Sequence, residues 1–219
     1  MKHKATKISA VILSAVLAAS SFSSIPAYAD GETVQISSAE DFAAFSKNCT
    51  LDSWSRGKTI NLTADISLAD TDVSPVPIFC GTFNGNGHTI SGLDLDGGNS
   101  YQGLFRFVAE DGVINGLTVS GTVSADGAQE YVGGIAGSVR GIVRDCSFEG
   151  VIDGTMSVGG LAGITEKKGR IENCRVIGMV QGEKYIGDIT GRTNRSISDS
   201  VTHARINPMT AGPNASLAD

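Results

Sequence analysis

Apolar residues recur along this chain with a period longer than any single helix or strand. The stretch Tyr131–Gly137 reads Tyr-Val-Gly-Gly-Ile-Ala-Gly, and looser copies begin at Tyr101, Ser157 and Tyr185, at steps of 30, 26 and 28 residues. A second block follows each copy, and its mostly apolar positions align in four columns: Ile114, Val143, Ile171, Ile197; Leu117, Cys146, Cys174, Ser200; Val119, Phe148, Val176, Thr202; and Val123, Ile152, Val180, Ile206. Positions 117, 119 and 123 are separated by even steps, so one side of an extended chain faces inward, and no window repeats at helical spacing. A fixed period of about 20 to 50 residues marks a repeat architecture. Equal columns stacked at the inter-strand spacing of about 4.8 Å form parallel ladders. The pattern therefore predicts an all-β fold, a parallel β-helix of about four to five coils over residues 59–206, right-handed by the chirality of parallel crossovers.

The ends depart from the repeat. Ser37 to Ser46 offers Ser37 as an N-cap, Glu40 three residues later, and Phe42 and Phe45 on one face, which predicts a short helix. Residues 30–58 are thus expected to cap the N-terminal end, with Trp54 helping to cover it, because an open coil stack exposes apolar interior. The turn signal Asn84-Gly85-Asn86-Gly87 precedes Ile90, Leu93 and Leu95, which repeat the spacing of Ile114, Leu117 and Val119 and so predict one earlier coil. The last copy is more polar, with Asp188 in place of a Gly and with Ser200 and Thr202 in inward columns, as a polar cap or a drifted register would give. Residues 207–219 have no period and read as a mobile tail.

Residues 1–29 read as a secretory signal: Lys2, Lys4 and Lys7, an apolar run from Ile8 to Ala19, and Ala27-Tyr28-Ala29 as the cleavage site. The apolar run is shorter than the roughly 20 residues a spanning helix needs, so no membrane insertion is expected after signal removal, and the mature chain from Asp30 is expected outside the cell or at its surface. Loss of the three signal lysines leaves 14 Lys+Arg against 23 Asp+Glu, a formal charge of −9. That balance argues against nucleic acid as a partner. The 28 Gly against 8 Phe, 4 Tyr and 1 Trp fit a turn-rich β protein with a narrow interior.

The phrases GTFNGNGHTISGL, YQGLF, YVGGIAG, SVGGLAG, VRDCSFEG and IENCRVIG together resemble the GLUG-repeat proteins of bacterial surfaces, over about residues 34–206. The repeats are also similar to those preceding the catalytic domain of secreted zinc metallopeptidases that cleave immunoglobulin A. The resemblance implies a β-helical surface module and no catalysis of its own; no His-Glu-x-x-His occurs in the chain.

The expected function is a non-catalytic interaction or adhesion module that binds a host or extracellular protein or glycan along a sheet face, through outward residues such as Thr118, Glu149 and Arg175. The alternatives are a polysaccharide lyase or hydrolase built on a β-helix, and a spacer module of a larger surface protease. The lyase alternative rests on Asp94 and Asp96, which alternate onto one face of a strand, with Arg140, Arg144 and Asp145 as possible neighbours on later coils. As calcium ligands the same pair lacks the Gly-Gly-x-Gly-x-Asp pattern. His88 and His203 have no second ligand at metal spacing, so no metal and no cofactor is expected. Cys146 and Cys174 fall within disulfide reach of each other, but side chains in a stacked column point in parallel, which favours buried thiols. Cys49 and Cys80 are equally compatible with a bridge tying the cap to the first coil and with two thiols.

Overall fold

The structure, a computed structural model, describes residues 31–208 except 52, 98–99, 126–129 and 195–196. Residues 1–29, read from the sequence as a secretory signal with its cleavage site, and residues 209–219 lie outside the described residues. The chain winds into a parallel β-solenoid of about six turns with one short helix. The number of turns exceeds the expected four to five because Thr33–Ile36, which carries no repeat motif, already pairs with Thr59–Leu62; Val201–Pro208 stacks on Arg175–Gly182 as the last, more polar copy. That last strand includes the first two residues assigned to the tail.

Four stacks of strands form the walls. The first sheet runs from Thr33–Ile36 through Thr59–Leu62, Thr82–Asn84, Val113–Asn115 and Ile142–Arg144 to Arg170–Glu172. The second holds the longest strands, among them Thr89–Leu95, Thr118–Ser124, Ser147–Asp153 and Arg175–Gly182. A three-stranded stack, Glu130–Gly133, Met156–Gly159 and Lys184–Gly187, leads into the fourth, which stacks Val76–Phe79, Phe105–Val108, Ala136–Val139, Ala162–Thr165 and Thr190–Thr193. All pairings are parallel, as they must be when each coil repeats the direction of the last.

Inward columns make the core. Phe83, Ile114, Val143 and Ile171 stand opposite one another, as do Val119, Phe148 and Val176, and Val123, Ile152 and Val180. All of these are buried. The register of the earlier coil differs from the expected one. Ile90 lies opposite Val119 and Leu95 opposite Val123, with a bulge between Ile90 and Leu93, while Phe83 takes the place opposite Ile114. One extra residue in the bulged strand shifts the spacing, so matching by spacing alone slides the alignment.

The second sheet admits its neighbours only because one column is glycine. Gly121, Gly150 and Gly178 stack with φ of 149°, 156° and 135°. A Cβ on Gly150 would stand 1.9 Å from the Gly121 carbonyl oxygen, and one on Gly178 would stand 1.9 Å from the Gly150 oxygen.

The helix α1 (Ala39–Asn48) closes the N-terminal end. Its N-cap is Ser38, one residue later than expected: the Asp41 N–H donates to Ser38 Oγ at 3.2 Å. The Ser37 N–H and hydroxyl both donate to the Asp41 carboxylate, at 2.9 and 2.8 Å, so the two serines share the capping work. Phe42 and Phe45 face inward as expected, and Phe45 sits in a ring of aromatics: Phe42, Trp54, Phe79, Phe83 and Phe105 all have centroids within 6.5 Å of its own. No helix among the described residues is long and apolar enough to cross a membrane.

Candidate functional site

Outward columns of the second sheet carry the residues named for binding. Thr118, Ser147 and Arg175 stand opposite one another on successive coils, and Ser120, Glu149 and Ile177 form the next outward column. Glu149 and Arg175 are exposed and Thr118 is half-buried. The three residues therefore share one face, with Thr118 and Arg175 two rungs, about 10 Å, apart. They form a broad, flat display and do not converge on a point.

Asp94 and Asp96, both exposed, lie at a cleft of about 360 Å³ with Asp72, Pro75, Gln102 and Arg106. The Arg106 guanidinium donates to the Ser100 carbonyl at 3.1 Å, and its Nε is buried with no partner. The residues suggested as neighbours on later coils have other partners or positions. Arg140 pairs with Glu166 at 2.9 Å, Arg144 lies on the first sheet, and Asp145 accepts from the Asn173 amide at 2.6 Å. The basic residue at the cleft is thus Arg106, and among the described residues no group of three or more His, Cys, Asp or Glu could hold a metal. His88 is tied to Asp65, Nδ1 to Oδ1 at 3.1 Å. The Asp65 carboxyl is held below the usual range, chiefly by the Thr89 N–H and then by His88.

All four cysteines are buried thiols. No bridge joins Cys49 to Cys80. Burial pushes the Cys49 thiol up to about 12, against a hydrogen bond with Ser55 that acts the other way. The Cys146 and Cys174 thiols donate to carbonyls two residues back, Arg144 at 3.0 Å and Glu172 at 3.2 Å. Ser200, next in the column, makes the same bond to Ser198 at 3.1 Å. This shared bond suits the last three members of the column, each a small side chain with one donor, whereas Leu117, the first, has none. Cys146 holds its proton well above the ordinary range, because of its hydrogen bond with Cys174 and then its burial.

One feature was visible in the sequence only as a landmark. The repeat-opening residues Tyr101, Tyr131, Ser157 and Tyr185 form a single corner column. All four have left-handed φ, between 55° and 68°, a conformation that costs a bulky L-residue roughly 1–2 kcal/mol. Glycines make room for it: a Cβ on Gly137 would stand 2.5 Å from the Tyr101 backbone, and one on Gly163 would stand 2.1 Å from that of Tyr131. The Tyr101 and Tyr131 rings stack at 4.7 Å with planes 19° apart, and Phe107 packs on Tyr101 at 4.6 Å. Burial first, and then the neighbouring Glu130, raise the Tyr131 hydroxyl, which bonds that carboxylate. Arg192 places its guanidinium 4.9 Å over the Tyr185 ring. Hydropathy sorting hides this column, since tyrosine is apolar on its faces and polar at its tip; the common opening position of the four copies was the available signal.

Comparison with known proteins places a GLUG motif at residues 154–180. The chain is 33% identical over 149 residues to halomucin of Haloquadratum walsbyi, covering 60% of this chain and 2% of that protein. It is 36% identical over 74 residues to a Gly-rich membrane protein of Evansella cellulosilytica, covering 32% of this chain and 8% of that one. The chain therefore spans only a small part of the length of either relative. No solved structure matches it.

Proposed function

We propose that this GLUG-motif solenoid is a cell-surface or extracellular interaction module that binds protein or glycan along a sheet face and performs no catalysis. One observation carries the reading: the second sheet holds Thr118, Arg175 and Glu149 in outward columns whose positions are fixed by seven consecutive in-register pairs between neighbouring strands. Such a face does not adapt to its ligand. Affinity would accumulate rung by rung, with little ordering entropy lost on binding. The surface location draws support from the relatives' names, a halomucin and a membrane protein, neither of which is the name of an enzyme.

The test is an array of host and extracellular glycans, mucins and matrix proteins probed with the full chain, with products checked for cleavage. Saturable binding without cleavage, weakened by Glu149→Lys together with Arg175→Glu, is the expected result. Binding that ignores both reversals would remove the second sheet from the proposal, and turnover of a bound glycan would refute the absence of catalysis.

A further inference from the structure

Tyr131, Ser157 and Tyr185 stand opposite one another on three successive coils. Where tyrosines occupy adjacent coils, as at Tyr101 and Tyr131, their rings stack at 4.7 Å, one rung apart. Ser157 breaks the stack and leaves two rungs, about 10 Å, between the neighbouring tyrosine positions. That gap accommodates one flat group. Arg192, from the adjoining strand of the Tyr185 coil, is the flat group at hand: its guanidinium lies 4.9 Å over the Tyr185 ring, and its charge also acts on the Tyr131 hydroxyl.

Arg192 is exposed, so a guanidinium over the Tyr185 ring keeps an N–H edge open to solvent. That edge is a planar fork matched to a carboxylate. Arg56, Arg140 and Arg170 each pair with a carboxylate, whereas Arg192 makes no ion pair among the described residues. In the same column, Ser157 is fully buried and its Oγ has no hydrogen-bond partner. An unmet hydroxyl in a protein interior is destabilising, and here it lies in the one column position where the aromatic stack is interrupted.

We propose that Arg192, with Tyr131, Tyr185 and Ser157, is a receptor for the carboxylate of an acidic sugar unit within an extended glycan. This inference rests on the glycan arm of the proposed function, and it places recognition at the tyrosine corner, a different surface from the second sheet. Tyrosine combines apolar ring surface with a hydroxyl tip, and the column repeats that combination along the solenoid axis. A sugar ring bearing both C–H and hydroxyl faces matches it, with the single carboxylate taken by Arg192. Charge selects further. The chain carries 23 Asp+Glu against 17 Lys+Arg, and Glu130 stands beside Tyr131, so a dense polyanion or an acidic peptide is repelled where an isolated carboxylate is accepted.

The experiment is calorimetric titration of the full chain with a sialylated oligosaccharide and an oligosaccharide carrying one uronic acid, each beside its methyl ester, and with poly-glutamate. At least one acid form should bind, and esterification should weaken it about 10- to 100-fold, the range for a charge-assisted pair. Arg192→Gln should lose as much. Arg192→Lys should recover part, because lysine keeps the charge without the fork. Ser157→Tyr should match Arg192→Gln by rebuilding the tyrosine stack and expelling the guanidinium, with circular dichroism confirming that each variant folds. Equal binding of acid and ester, indifference to Arg192→Gln, tighter binding of poly-glutamate, or failure of both acidic sugars overturns the proposal. Capture of another glycan or protein on the array, lost with Glu149→Lys and Arg175→Glu but not with Arg192→Gln, would leave the sheet-face reading standing and sink this one.

Discussion

Truncating Phe45 to alanine tests whether the helical cap is an integral part of the core. Phe45 is 1% exposed and touches five aromatic neighbours: Phe42 at 5.7 Å, Trp54 at 6.2 Å, Phe79 at 5.9 Å, Phe83 at 5.8 Å and Phe105 at 6.5 Å between centroids. A buried Phe→Ala change costs about 3–5 kcal/mol, from lost transfer energy and the cavity left behind. The upper half of that range is expected here, because the aromatic pairs contribute beyond their area and the strands carrying Phe79, Phe83 and Phe105 are pinned by ladders and cannot collapse into the void. Against a typical total of about 5–15 kcal/mol, the loss is a large share. Urea unfolding followed by the fluorescence of Trp54, the single tryptophan of the chain, measures it directly. A loss of about 4 kcal/mol with an unchanged slope on denaturant supports one cooperative unit. A loss below about 1.5 kcal/mol would show that α1 merely rests on the first coil, and a reduced slope would show that the cap melts separately from the solenoid.

Gly150→Ala should cost more than about 3 kcal/mol or disrupt the second sheet, since its Cβ would meet the Gly121 oxygen at 1.9 Å; a melting temperature within a few degrees of wild type would contradict the close stacking. Ser38→Ala removes the acceptor for the Asp41 N–H and should cost about 1 kcal/mol by chemical denaturation, whereas Ser37→Ala should leave that cap in place. The Cys49 thiol, raised from 9.0 to about 12 by burial, stays protonated in the fold after an unfolded thiol has ionised. The unfolded state then holds fewer protons, so stability from this group is intact below pH 9 and falls as pH rises toward 12; the Cys49→Ala variant should show a shallower decline over that window, and identical slopes would refute the assignment. Asp94→Ala with Asp96→Ala should leave both the fold and glycan binding unchanged, and loss of binding in the array would bring that cleft back as a site.

Columns such as Val119, Phe148 and Val176 were legible in the sequence because a solenoid puts equivalent residues into one physical environment, so the repeat writes the core out several times. Where the repeat weakens, legibility weakens with it. Thr33–Ile36 forms a rung without any motif, since backbone pairing with Thr59–Leu62 makes few demands on side chains. The bulge near Gly92 moved Ile90 and Leu95 by a step that linear spacing cannot register. The cap shifted from Ser37 to Ser38 because adjacent serines both satisfy the local rule, and the reach of the Asp41 carboxylate decides between them. Alternation along the strand is what puts Thr118, Glu149 and Arg175 on one face of the second sheet. The meeting of Arg192 with Tyr185 was not legible, because it crosses between two sheets of one coil and depends on how the corner turns.

The two ends of the molecule are unlike. At one, α1 and five phenylalanine and tryptophan neighbours seal the interior; at the other, among the described residues, Val201–Pro208 pairs on a single side. The solenoid therefore has a fixed origin and an extensible edge. Inserting a further repeat between existing coils would lengthen the display by one rung, about 4.8 Å, while side chains away from the junction kept their neighbours and every side chain its heading. Reach and valence could then vary between related chains by counting repeats, with the chemistry of each face inherited unchanged.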